Sequence, residues 1–236
     1  MEETKNVNLL EAKVVLIGEA GVGKTSIVRQ FTNRGFDPNC QSSISSQFCT
    51  KIVNISEINK SIRFDLWDTS GQERYRSVAK IFYKDSRIII FVYEIINKKS
   101  YESLKQYWYQ EVKSNSIMNN AIFAVVGNKI DLYNNAEVDD KEAEKWADSI
   151  GAIFQTTSAL TNTGIDTLFD NLGKKIFNPK FSYKSQEEQK KELYEKKKER
   201  KEEEKLEEEY NNEVVDTKSI KLNNKNHNKK KKKSCC

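Results

Sequence analysis

The chain of 236 residues has one histidine, two prolines, nine glycines and four cysteines. The histidine, His227, lies in a Lys/Asn-rich stretch near the end. Histidine-based acid–base or triad catalysis in a folded core is therefore excluded. The cysteines are Cys40, Cys49, Cys235 and Cys236. They show neither metal-ligand spacing nor a disulfide framework, and Cys40 and Cys49 read as ordinary thiols. No apolar run approaches the ~18–20 residues of a membrane span. The start carries no signal-peptide pattern, and Glu2 stands where N-myristoylation needs a glycine. A soluble cytosolic protein is expected.

Charge is abundant but unevenly placed. Residues 1–179 hold 22 Lys and Arg against 22 Asp and Glu, whereas residues 211–236 hold 8 basic and 2 acidic. The basic excess belongs to the last 26 residues. That speaks against a nucleic-acid face on the body and for a basic tail.

What the chain does have is Gly18-Glu19-Ala20-Gly21-Val22-Gly23-Lys24-Thr25. An apolar, β-branched run, residues 12–17, precedes it, and Ser26-Ile27-Val28-Arg29-Gln30-Phe31 follows with helical apolar spacing. Strand, glycine-rich loop and helix form the context of a phosphate-binding P-loop. The glycines let backbone N–H groups face an anion, and the helix adds its positive end. Lys24 can reach the β- and γ-phosphates, and the Thr25 hydroxyl can ligate Mg²⁺.

Further along, residues 47–55 and 62–67 alternate and read as an antiparallel hairpin around Asn59-Lys60. Buried strands are expected over 87–93, 121–127 and 152–156. Helices are expected from Ser100, as N-cap, to about 114, over 139–150 and over 164–177. Apolar runs alternating with amphipathic helices indicate an α/β fold: a doubly wound, mostly parallel six-stranded sheet with one antiparallel edge strand. Ligands of such sheets bind at the carboxyl ends of the strands. Every loop singled out here lies at such an end.

Those ends carry more chemistry. Asp68 and Gly71 match D-x-x-G: the carboxylate can hold Mg²⁺ through water and the Gly71 N–H can face a γ-phosphate. Gln72 follows, an amide able to orient an attacking water. Asn128-Lys129-Ile130-Asp131 matches N-K-x-D. Its Asp131 carboxylate can accept from N1–H and the exocyclic amine of guanine, while adenine offers neither donor. Thr157-Ser158-Ala159 supplies a loop whose N–H can reach the guanine O6.

In this order and spacing the motifs resemble the Ras superfamily of small GTPases over residues ~10–178. Trp67-Asp68-Thr69-Ser70-Gly71-Gln72-Glu73-Arg74-Tyr75, Phe82-Tyr83 and the final Cys235-Cys236 resemble its Rab subfamily. The resemblance implies a GTP-binding, GTP-hydrolysing switch. Residues ~36–46 and ~68–84 would be its two switches. The nucleotide would be held by Gly18, Glu19, Ala20, Gly21, Val22, Gly23, Lys24, Thr25, Ser26, Phe36, Ser43, Asp68, Gly71, Asn128, Lys129, Asp131, Ser158, Ala159 and Leu160. Mg²⁺ would sit on Thr25, Ser43 and, through water, Asp68. Gln72 and Lys24 would carry catalysis, and Ile44, Phe48, Trp67 and Phe82 would face effectors. Residues 41–42 and the stretch 162–169 resemble the endosomal branch. A GTPase-activating protein, an exchange factor and effectors are implied as partners, with no nucleic acid, and a monomer is expected.

Departures from the subfamily pattern are local. Ser43 replaces a threonine but keeps its hydroxyl. Ser45 replaces a glycine and requires a negative φ. Leu160 stands where a lysine is common. Ala20 places a methyl near the γ-phosphate and Gln72, so slow hydrolysis is expected.

The organisation expected is a flexible stretch over 1–10, a GTP-binding domain over 11–178 and a charged tail over 179–236. Residues 184–210 are nearly all Lys, Glu, Arg and Gln; they read as a solvated spacer, alternatively as a partner-binding helix. Lys229 to Lys233 would add roughly 1 kcal/mol each near an anionic leaflet. Cys235 and Cys236 offer two lipid attachment points, and two chains anchor stably where one does not. The final Cys-Cys resembles a double prenylation signal, which implies prenylation machinery and the cytosolic face of endomembranes. The alternatives are a nuclear-localisation-like basic run, a nucleotide-locked scaffold with little turnover, and another Ras-superfamily branch.

Overall fold

The computed structural model describes residues 9–32, 35–37, 47–69, 83–114 and 121–183. Its centre is β1 (Leu10–Ile17), with parallel neighbours on both sides: β3 (Lys60–Asp68) and β4 (Ile88–Glu94). β2 (Gln47–Ile55) closes one edge antiparallel to β3, and β5 (Ile122–Asn128) and β6 (Ile153–Thr157) continue the other side in parallel. The order is β2-β3-β1-β4-β5-β6. The expected mixed six-stranded sheet is thus present.

Strand alternation builds two cores from one sheet, because successive side chains point to opposite faces. Val14, Leu16, Ile88, Ile90, Val92, Ala124 and Val126 face one way. Val15, Ile17, Ile89, Phe91, Tyr93, Phe123 and Val125 face the other. The first face is covered by α1 (Lys24–Phe31) and α5 (Ile165–Phe177). Ile27, Phe31, Leu168, Phe169, Leu172 and Ile176 recur at helical spacing and are buried there. Phe31 and Phe169 stack with centroids 3.5 Å apart.

The second face carries α2 (Lys98–Ser103), a π-helical turn (Leu104–Trp108), α3 (Tyr109–Ser114) and α4 (Asp140–Ser149). α4 starts where Asp139 accepts from the Lys141 and Glu142 amides at 2.7 and 3.1 Å. It buries Ala143 and Ala147, one turn apart.

Two local expectations need correction. Ser100 does not cap its helix: Asn97 does, its side chain accepting from the Ser100 amide at 3.3 Å. Asn caps as well as Ser, and Ser100 instead donates its hydroxyl to the Asn97 carbonyl at 2.7 Å. The hairpin turn contains Asn59 as expected but starts earlier, and Lys60 lies outside it. A 3₁₀ turn over Ser56–Ile58 and Asn59 at φ 48° reverse the chain, and Lys60 already belongs to β3.

Since β1 sends the chain to β3 on one side and later meets β4 on the other, its carboxyl end is the topological switch point. The P-loop leaves from there.

Candidate nucleotide-binding site

The phosphate loop is set by close approach. Gly18 has φ 148°, and a Cβ there would lie 2.1 Å from the Val92 carbonyl oxygen of the adjacent strand. Gly23 has φ 97°, and a Cβ there would lie 2.2 Å from Asn128 Nδ2. Both places demand glycine on space and conformation together.

Lys24 opens α1 and folds back over its own loop. Its Nζ donates to the Gly18 and Glu19 carbonyls at 2.9 and 2.8 Å, and the residue is buried. Burial pushes its pKa down to about 8, against the pull of Asp68 and Glu19. The next residue, Thr25, donates its hydroxyl to Asp68 Oδ2 at 2.6 Å across 43 residues of chain. Asp68 ends β3 and is only 1% exposed. Thr69 donates to the Leu16 carbonyl at 2.6 Å and pins that strand end against β1. A buried carboxylate and a hydroxyl beside an anion cradle form an oxygen donor set suited to Mg²⁺, which keeps waters and uses few protein ligands.

The base-side motif is locked to the phosphate loop. Asn128 Nδ2 donates to the Val22 carbonyl at 2.9 Å, and Asn128 Oδ1 accepts from the Thr157 hydroxyl at 3.1 Å. One buried amide therefore ties the P-loop to the ends of β5 and β6. Ser158 donates its hydroxyl to Asp131 Oδ1 at 2.5 Å and accepts from the Thr161 amide at 3.1 Å. Asp131 is thus oriented by a neighbouring hydroxyl.

A cleft of about 300 Å³ opens between these loops, lined among others by Gly21, Ser26, Phe36, Asp131, Ala159 and Leu160. Phe36 and Leu160 are 39% and 54% exposed and form apolar rims, while Ala159 is buried. Residues of the Gly18–Thr25 loop and of the Asn128–Asp131 motif line this cleft together. Phe48 and Trp67 lie opposite each other on β2 and β3, rings 5.0 Å apart, with Phe48 54% exposed. Ser43, Ile44, Gly71, Gln72, Phe82, Cys235 and Cys236 lie outside the described residues.

One functional-looking carboxylate, Glu94, escaped the sequence reading. Glu94 ends β4 and pairs with Lys129 Nζ; its other oxygen accepts from Asn97 Nδ2 at 3.0 Å. It sits in register with Asn128 of the next strand, which places it beside the motif. A carboxylate closing the strand before N-K-x-D was the available signal. Glu19, expected among the residues that hold the nucleotide, turns its side chain to accept from Ser103 Oγ and from Trp108 Nε1, the latter at 3.1 Å. Nothing local in the sequence announces partners so far away.

The Ras family matches residues 13–178. The chain is 40% identical over 168 residues to "Ras-related protein Rab-22A" of Homo sapiens, covering 71% of this chain and 84% of that protein. It is 40% identical over 166 residues to "Ras-related protein Rab-31" of Mus musculus, covering 70% and 83%. It is 39% identical over 164 residues to "Ras-related protein Rab-21" of Canis lupus familiaris, covering 70% and 72%. The chain belongs to the Ras family of small GTPases, P-loop enzymes that hydrolyse GTP to GDP and phosphate. Within that family it stands with the Rab proteins.

Proposed function

We propose that this GTPase is a membrane-tethered switch of vesicle traffic, and that the loops at the carboxyl ends of its strands are its guanine-nucleotide site. The observation that carries the assignment is the Asn128 amide, bonded to Val22 on one side and Thr157 on the other. It holds the phosphate loop and the base loops in one frame.

In this reading the P-loop amides and Lys24 hold the phosphates. Asp131 accepts from the two guanine donors, with Ser158 fixing its orientation. The Ala159 and Leu160 backbone closes on O6, and Phe36 packs at the base edge. Mg²⁺ would be held by Thr25 and Ser43 and, through water, by Asp68; it supplies neutralisation of charge on the transferred phosphoryl group. Gln72 orients the attacking water and Lys24 stabilises the charge that develops. Ser43 and Gly71 report the γ-phosphate by ordering the two switches. Ile44, Phe48, Trp67 and Phe82 form the surface that effectors read. An exchange factor and a GTPase-activating protein drive the cycle.

The tail from residue 179 serves as tether. Prenylation at Cys235 and Cys236, with the five lysines before them, places the switch on the anionic cytosolic face of endomembranes, the endosomal ones by resemblance. Among the described residues no helix is long and apolar enough to cross a membrane.

The test compares GTP, ITP and ATP binding and turnover in Mg²⁺ buffer. ITP lacks the exocyclic amine, so the wild type should prefer GTP by roughly tenfold or more, the scale of one hydrogen bond to a charged group. Turnover should be slow and lost in Gln72→Leu. Equal affinity for GTP and ITP would refute the base assignment. Tight GTP binding without turnover, even with activating protein, would replace the cycling switch by a locked scaffold.

A further inference from the structure

A carboxylate is an odd residue for a loop that receives a polyanion. Facing the cradle, Glu19 would repel the phosphates it is meant to admit. The structure sends it elsewhere. Its Oε1 accepts from the Ser103 hydroxyl and from the Trp108 indole N–H. Its backbone carbonyl meanwhile accepts from Lys24 Nζ at 2.8 Å. One residue thus holds the phosphate-binding lysine with its main chain and a distant helix with its side chain.

That helix is shaped for the task. Ser103 is the last residue of α2, and Trp108 the last of the π-helical turn. At 3.6 residues per turn, positions five apart diverge by about 140° around an α-helix. They could not both address one oxygen. The wider i→i+5 turn brings them toward a common face, and such turns recur at functional sites. The anchor is rigid: Leu104 and Trp108 are 0% and 1% exposed in the core of the second sheet face.

We propose that Glu19 is a positioning residue for the phosphate loop: captured by Ser103 and Trp108, it braces the loop in its anion-ready form and so slows nucleotide release. This rests on the loop being the nucleotide site. The brace is also a mechanical route into the site. A partner displacing α2 or the π-helical turn would pull on Glu19, and through its carbonyl on Lys24.

The experiment follows release of a fluorescent GDP analogue from the full chain, chased with excess GDP in Mg²⁺ buffer. Glu19→Ala should release it roughly tenfold faster, the scale of one charge-assisted hydrogen bond. Glu19→Gln keeps an acceptor oxygen and should stay within about threefold of wild type. A carboxylate that merely repelled phosphate would instead make both variants release more slowly, and the Ser103 variants separate the brace from a side chain that only fills space. Ser103→Ala, at a partly buried position, should give an intermediate increase, and adding it to Glu19→Ala should change nothing further. Trp108→Phe should behave alike, and if its lost packing prevents folding, the Ser103 variants still decide. Wild-type release in Glu19→Ala, or fully multiplicative effects of the two alanine variants, would overturn the brace and leave the nucleotide site standing. Failure of the wild type to retain the GDP analogue would overturn both.

Discussion

The two halves of the site are in different states of readiness. On the base side the bonds that the protein makes to itself leave a slot open. Asp131 is oriented by Ser158, and an open cleft of about 300 Å³ lies between Phe36, Asp131 and Leu160. On the phosphate side the groups bond one another: Lys24 to the carbonyls of Gly18 and Glu19, Thr25 to Asp68. Under the proposed assignment guanine would meet an open slot, whereas phosphate and Mg²⁺ would compete with bonds that the protein makes to itself. In the proposed site the base would thus be recognised by preorganisation and the phosphates by replacement.

Removing the central group of the replaced half should have the largest effect. Lys24→Met leaves the cradle without its cation and should weaken GDP and GTP binding at least about 100-fold, with guanosine binding little changed. Titration calorimetry with both ligands checks this; equal losses for guanosine and GDP would break the division between the halves.

The mirror experiment is Asp131→Ala. GTP affinity should fall by roughly 10- to 100-fold, and the GTP-over-ITP preference should collapse toward unity, because the lost partner is the charged acceptor of two donors. Competition binding reads both numbers. A preference that survives would place base recognition elsewhere.

Burial lowers Lys24 to about 8, far below the 10.5 of an unfolded lysine. The charged form thus costs the empty fold stability at lower pH, and that cost is relieved as pH rises from about 8 toward 10.5. Phosphate oxygens favour the ammonium, so binding must restore any proton already lost. GDP affinity should fall as pH climbs through 8, approaching tenfold per unit, while guanosine affinity stays flat between pH 7 and about 8.5. Parallel slopes would contradict the assignment of the titration to the phosphate half.

The smallest effect belongs to the apolar rim. Leu160→Ala should weaken GTP and guanosine alike by about 1 kcal/mol or less, since an exposed side chain adds only partial burial on binding. A change in GTP alone would mean that Leu160 acts on the phosphates.

How much of this could be read from the chain varies with the distance between partners. Strand alternation at Val14–Ile17 or Ile88–Tyr93 follows a period of two, and the glycines of the P-loop answer to contacts that recur with the motif. The base motif was legible because its chemistry, an acceptor for two donors, is written within four residues. The Ser100 cap was misread because Asn97, an equally good cap, stands three residues earlier, and the Ser100 hydroxyl had backbone partners of its own. The π-helical turn was invisible because Leu104, Trp108 and Val112, spaced by four, suit an unbroken α-helix equally well. Glu19 and Trp108 are 89 residues apart, and no local pattern relates them. Glu94 and Lys129 meet only because β4 and β5 pair in a register that the sheet, not the local sequence, determines.

The most direct test of a replaced phosphate half is the proton count on binding. Calorimetry of GDP with Mg²⁺ at pH 8, in buffers of different ionisation enthalpy, should show net proton uptake on binding, because burial lowers Lys24 to about 8 and leaves part of it neutral there. Lys24→Arg, whose side chain stays charged, should bind with no such uptake. No uptake by the wild type, or the same uptake by Lys24→Arg, would contradict the account.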